Sequence, residues 1–111
     1  MLEATDIKYI VRDEKVYGGK PIIEGHRIAV HDVAALHGQG RSAEEIAAAF
    51  SLQPAEVYAA LTYYYDHKSR IDGEIAWENA EIERMAEEDS LSRRIRDGYR
   101  AHLRRTADAA N

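Results

Sequence analysis

The hydrophobic pattern of the chain changes period once, at Asp32, and that change restricts the folds open to it. Before it, Ile7, Tyr9 and Val11 alternate with polar residues, and short apolar runs follow at Val16-Tyr17, Ile22-Ile23 and Ile28-Ala29-Val30, which is the two-residue period of strands. After it, apolar residues recur three and four apart, as on the buried side of amphipathic helices. Two or three strands this short cannot bury enough surface to be stable alone. They have to lie on the helices or on a second copy of themselves, so the expected class is mainly α with a short β-hairpin at the N-terminus.

The punctuation between these runs is specific. Gly18-Gly19-Lys20-Pro21 and Glu24-Gly25-His26-Arg27 read as tight turns, because glycine tolerates positive φ and Pro21 has no N–H to give to a central ladder. A first helix through Val33 and Leu36 is closed by Gly38 and Gly40. Ser42-Ala43-Glu44-Glu45 forms a capping box for a second helix through Ile46, Ala47 and Phe50. Pro54 suits the first position of a third helix, where its missing N–H would have had no partner, and Val57, Ala60, Leu61 and Tyr64 give that helix one apolar face. A longer helix is expected from Ile71, with Ile75, Ile82 and Met85 or Ala86 on one side and glutamates on the others. After a cap at Asp89-Ser90, Leu91, Ile95, Tyr99 and Leu103 mark a last helix studded with arginines. The only boundary falls near residue 70, dividing the chain into a core domain at 1–72 and a charged helical extension at 73–111.

Composition narrows the functions. Among 111 residues there is no cysteine, which excludes disulfides, thiolate nucleophiles and thiolate metal sites. No apolar run approaches a membrane span, and no charged start with an apolar stretch and cleavage site opens the chain, so a cytoplasmic, membrane-free protein is expected. The net charge of −5 opposes indiscriminate binding to nucleic acid, where neutralisation of phosphate dominates affinity. Its distribution is uneven: residues 1–41 hold six basic and six acidic side chains, residues 42–88 three and eleven, and residues 89–111 six and three.

Residues 43–62 fit the pattern of a helix-turn-helix, with Ile46, Phe50, Leu52, Val57 and Ala60 at its apolar positions and Ala47 where a larger side chain would collide. Ser51 stands at the turn position that favours glycine. The candidate reading helix is poorly equipped for DNA. Of its outward residues only Gln53, Tyr58 and Thr62 have groups for a base edge or a phosphate, and Glu56 repels phosphate. A basic fringe of Arg12, Lys15, Lys20, His26, Arg27 and Arg41 is the remaining route to DNA, which gives Lys20, Arg27, Arg41, Gln53, Tyr58 and Thr62 as the candidate DNA-contacting residues. The same packing serves equally for a core that never touches nucleic acid.

The run Gly18-Gly19-Lys20-Pro21-Ile22-Ile23-Glu24-Gly25-His26-Arg27-Ile28-Ala29-Val30 resembles the signature of domain of unknown function family 433. The resemblance continues through Gly40, Ser42, Glu44-Glu45-Ile46, Phe50-Ser51-Leu52, Val57, Ala59-Ala60-Leu61 and Tyr63-Tyr64-Tyr65, over about residues 7–72. His26 and His31 depart from the family's pattern without upsetting the fold. The resemblance implies a homeodomain-like or winged helix-turn-helix core behind the hairpin, often dimeric, with Gly18, Gly19, Lys20, Pro21, Gly25 and Arg27 as marked residues. It also implies an antitoxin of a type II toxin-antitoxin module, neutralising a PIN-like nuclease toxin of the VapC kind and repressing its own operon. A non-DNA-binding interaction module of the same fold is the alternative. Arg27 is expected to pair with a carboxylate inside a dimer, or otherwise with phosphate.

The extension lies outside the resemblance. An acidic helix followed by a basic amphipathic one suits an arm that clasps a partner, with Ile82, Met85, Leu91, Ile95, Tyr99, Arg96 and Arg100 as candidate contacts. The competing expectation is that the two helices pack on each other or on a twin chain, glutamates against arginines. No catalytic chemistry is expected. Gly18-Gly19-Lys20 lacks the frame of a phosphate loop, and His26, His31, His37, His67 and His102 read as scattered surface histidines without ligand spacing, so neither cofactor nor metal is expected.

Overall fold

The computed structural model describes residues 2–88 and 90–109. Strands β1 (Leu2–Ala4), β2 (Ile10–Asp13) and β3 (Pro21–Ile23) form an antiparallel sheet in the order β1-β2-β3. Leu2 pairs with Asp13, and Ile10 with Ile23. Helices α1 (Val30–Gly38), α2 (Ala43–Phe50), α3 (Pro54–Asp66), α4 (Lys68–Glu88) and α5 (Ser90–Ala109) follow. The protein is mainly helical with a small N-terminal sheet, as the change of period implies.

The first strands lie elsewhere than the alternation suggested. Ile7 and Tyr9 stand in the turn between β1 and β2, not in a strand, and Val16-Tyr17 leads into a short 3-10 turn. The turn wins because Thr5 closes it locally: its hydroxyl donates to Ile10 O at 2.6 Å and accepts from the Ile7 N–H at 3.2 Å. Tyr9 then sits at φ 74°, outside any strand conformation.

Strands β2 and β3 are covered on both faces, and β1 is exposed at the edge. Ile10 and Ile23 enter the main core with Val30, Val33 and Leu36 of α1, Ile46 of α2, Val57 of α3 and Ile71 of α4, all fully buried. Val11 and Ile22 point the other way, under Ala29 and Val16. Helices α1, α2 and α3 pack on one another around this core, and α5 turns back along α4 to reach α2. Residue 72 lies in α4, whose Ile71 belongs to the core and whose Ile75 packs against it, so the extension is continuous with the core through that helix.

The caps form as their sequences require. Ser42 Oγ accepts from the Glu45 N–H at 3.1 Å while the Glu45 carboxylate accepts from the Ser42 N–H at 3.3 Å. Glu56 accepts from the Gln53 N–H at 2.8 Å in the turn before α3. Between the two helices Ser51 takes the left-handed conformation, φ 55° and ψ 45°, that glycine adopts without strain.

Candidate interaction surfaces

The signature turns are built by backbone requirement. Gly18, Gly19 and Gly25 have φ of 64°, 87° and 83°, conformations that would strain any residue with a Cβ. Pro21 opens β3, an edge strand, where a missing N–H breaks no ladder. The two turns are tied together by the Tyr17 hydroxyl, which donates to Arg27 O at 2.8 Å. The Arg27 side chain itself is exposed, with no ion pair among the described residues.

Lys20 is directed inward across the fold. Its ammonium pairs with Glu78 of α4, joining the signature loop to the extension. Beside it His31 of α1 is 5% exposed, a correction to the expectation of a surface histidine. Its Nε2 stands 3.4 Å from Glu74 Oε2, and neither ring nitrogen makes a hydrogen bond among the described residues. Burial pushes the imidazole below its ordinary value, with Lys20 acting the same way and Glu74 and Glu78 opposing it. Glu74 is also held by Arg70 Nε at 3.1 Å. On the same side Arg12 Nη2 donates to the Tyr63 hydroxyl at 2.6 Å, and Tyr63 stacks on His67 with ring centres 4.4 Å apart. His31, Tyr63, His67, Arg70 and Glu74 line a small cleft between core and α4. The sequence signal for His31 was its position three and four residues before Ala34 and Ala35, on the inward side of α1.

The outward face of α2 and α3 is acidic. Tyr58 donates its hydroxyl to Glu44 at 2.9 Å, Thr62 donates to Tyr58 O at 2.9 Å, and Glu56 lies 3.3 Å from His26. Gln53 is exposed at the start of α3. Arg41 is 3.5 Å from Glu45. Of the six candidate DNA contacts, Lys20, Arg41, Tyr58 and Thr62 therefore have partners within the chain.

The arm presents a different surface. Arg96 pairs with Glu83 at 2.8 Å and with Asp97 at 3.0 Å, and Arg100 also pairs with Glu83, so these two arginines fasten α5 to α4. Ile82 is half-buried. Met85, Leu91, Ile95 and Tyr99 are all exposed, Ile95 by 64%. Arg93, Arg94, Arg104 and Arg105 make no ion pair among the described residues. Trp77, the only tryptophan, was missed by sequence reasoning: it is 66% exposed on α4, in a helix face otherwise occupied by the paired charges of Arg70, Glu81 and Arg84. Its sequence signal was its place outside the Ile71, Ile75 and Ile82 stripe.

Among the described residues no three His, Asp or Glu side chains are grouped to hold a metal, and no helix is long and apolar enough to cross a membrane. Residues 10–64 match the model of a family described as protein of unknown function (DUF433). No curated protein and no solved structure matches the chain.

Proposed function

We propose that this chain, whose residues 10–64 match the DUF433 family model, is a non-catalytic protein-binding module of antitoxin type whose α5 arm clasps a PIN-like nuclease. The observation that carries the reading is the state of α5: exposed Leu91, Ile95 and Tyr99 lie on a helix whose Arg93, Arg94, Arg104 and Arg105 have no partner among the described residues. Apolar anchors ringed by unpaired guanidinium groups suit a partner surface that is apolar at its centre and acidic at its rim. A nuclease whose carboxylates gather a metal ion offers such a surface, and an arginine reaching those carboxylates would oppose metal binding.

We infer that α1, α2 and α3 form a core of helix-turn-helix type, homeodomain-like, that serves as scaffold. Support for operator binding is weaker: Glu44 and Glu56 flank the face that would meet phosphate, and Tyr58 and Thr62 already bond within the chain. The alternative of an interaction module that leaves DNA alone is the better reading of this face, in a cytoplasmic protein and as a homodimer or a heteromer with the nuclease.

Co-expression with a PIN-like nuclease encoded beside the gene tests the proposal. The expected result is a complex that purifies intact and has lost nuclease activity, and that weakens when Arg94 and Ile95 are both changed to Glu. A nuclease that stays active and fails to co-purify would refute it. A gel shift against the upstream DNA at stated salt is expected to show no band for the free chain.

A further inference from the structure

We propose that the outward face of α4 docks antiparallel on the same face of a second copy of this chain, with Trp77 at the centre of the contact. Trp77 is the only tryptophan, and it is 66% exposed. The inward side of α4 is taken by Ile71 and Ile75, with Ile82 and Ala86 continuing the same line, so helical spacing turns Trp77 away from the core. An indole buries about 150–250 Å² when covered, and tryptophan is among the residues that most often anchor an interface.

Charges flank the ring in a definite order. Arg70, Glu74, Trp77, Glu81, Arg84 and Glu88 follow one another at alternating spacings of four and three, the seam spacing by which one helix faces another. Within the chain the two arginines reach their own helical neighbours: Arg70 Nε lies 3.1 Å from Glu74, and Arg84 lies 2.9 Å from Glu81 and 3.1 Å from Glu88. Glu74 also bears on His31 at 3.4 Å, while Arg70 and Glu88 at the two ends of the stripe keep about two thirds of their side chains in solvent. A guanidinium has five N–H donors and a carboxylate about four acceptor sites, so pairs of this kind can each take a second partner.

The order of charges selects the partner. Reversed and offset by four residues, the stripe meets its own copy with opposite signs in register: Arg70 opposite Glu88, Glu74 opposite Arg84, and Trp77 opposite Glu81. That is the self-complementarity a two-fold contact demands, with the axis level with Asn79. The two indoles then lie about 6 Å apart along the helices, near enough to pack on each other beside the small Ala80. A parallel alignment sets Arg70 on Arg70, and an antiparallel one centred on Trp77 sets Arg70 on Arg84; both juxtapose like charges and are disfavoured. A partner surface of a single sign meets repulsion from half of the stripe. The aromatic pair within two layers of charge has an apolar centre and a polar rim, and its seam of about 27 Å belongs at the small, weak end of specific interfaces.

The seam uses no residue of α5 and does not depend on a nuclease partner, so the full-length chain alone tests it. Sedimentation between about 1 mM and about 1 μM reads the mass, and the emission of the single tryptophan reads whether Trp77 is the group covered. The expected result is a monomer–dimer equilibrium in which emission moves to shorter wavelength as the dimer forms. Trp77→Ala should weaken association by at least about tenfold. Arg70→Glu and Glu88→Arg should each weaken it by about fivefold, because two symmetry-related pairs turn repulsive at once. The double variant Arg70→Glu/Glu88→Arg should return to the parental affinity: it restores the pairs between copies while the pairs with Glu74 and Arg84 within each helix stay broken. Where a variant loses helix content, the parent's mass and emission decide. A parent that stays monomeric, emission unmoved by dimer formation, or a double variant no tighter than either single one would overturn the proposal.

Discussion

At the residue scale, the turn between α2 and α3 shows what a single side chain costs. Ser51 holds φ 55°, where a Cβ crowds the backbone by about 1–2 kcal/mol relative to glycine. Ser51→Gly should therefore raise stability by about 1 kcal/mol, less the entropy that glycine adds to the unfolded chain, read as a higher urea midpoint with unchanged slope. The reverse is expected at the start of α2. Ser42→Ala removes the acceptor for the Glu45 N–H and should lower the midpoint by about 1 kcal/mol. Both positions were legible in the sequence, because caps and left-handed turns depend on residues a few places apart. His31 was not. A histidine on a helix declares its face but not its surroundings, and the groups that make this one unusual, Lys20, Glu74 and Glu78, come from positions 11 to 47 residues away.

At the scale of elements, period and punctuation located the helices, while tertiary contacts decided what each surface does. The start of α3 at Pro54 and the end of α1 at Gly38 stand where their caps placed them. The first strand did not follow its alternation, because the Thr5 hydroxyl closes a turn that no apolar pattern encodes. The charged helices were recognisable as acidic α4 and basic α5, yet only the fold distinguishes the arginines that fasten the arm from those with no ion pair among the described residues. Glu83 is the fastening point, since Arg96 and Arg100 both reach it. Glu83→Ala should loosen α5 while leaving the three-helix core folded, as expected for a solvent-screened pair. Hydrogen exchange checks this: α5 amides should exchange faster while those of α1 and α3 stay protected. Uniform exchange across the chain would show that the pair carries no docking.

At the scale of the whole molecule, the proposed function gives the core and the arm separate roles. The radius of gyration, 14.3 Å, exceeds the roughly 13 Å expected of a compact domain of this length, consistent with two long helices, α4 and α5, laid beside a three-helix core. Stability should follow the buried imidazole: thermal midpoints are expected to fall as pH drops below 6.5 in the parent, and more weakly in His31→Leu, because only the parent must shed a proton from this ring on folding. Midpoints with equal pH dependence in the two proteins would exclude His31 as the source. The family match covers residues 10–64 and leaves α4 and α5 beyond it, so the functional reading of the arm rests on its surface chemistry. Calorimetric titration of a purified PIN-like nuclease with the parent chain and with Ile95→Glu tests that reading most directly. The account predicts saturable 1:1 binding to the parent and at least about tenfold weaker binding to the variant, equivalent to 1.4 kcal/mol or more. Equal affinity for both chains, or no heat of binding with the parent, would contradict it.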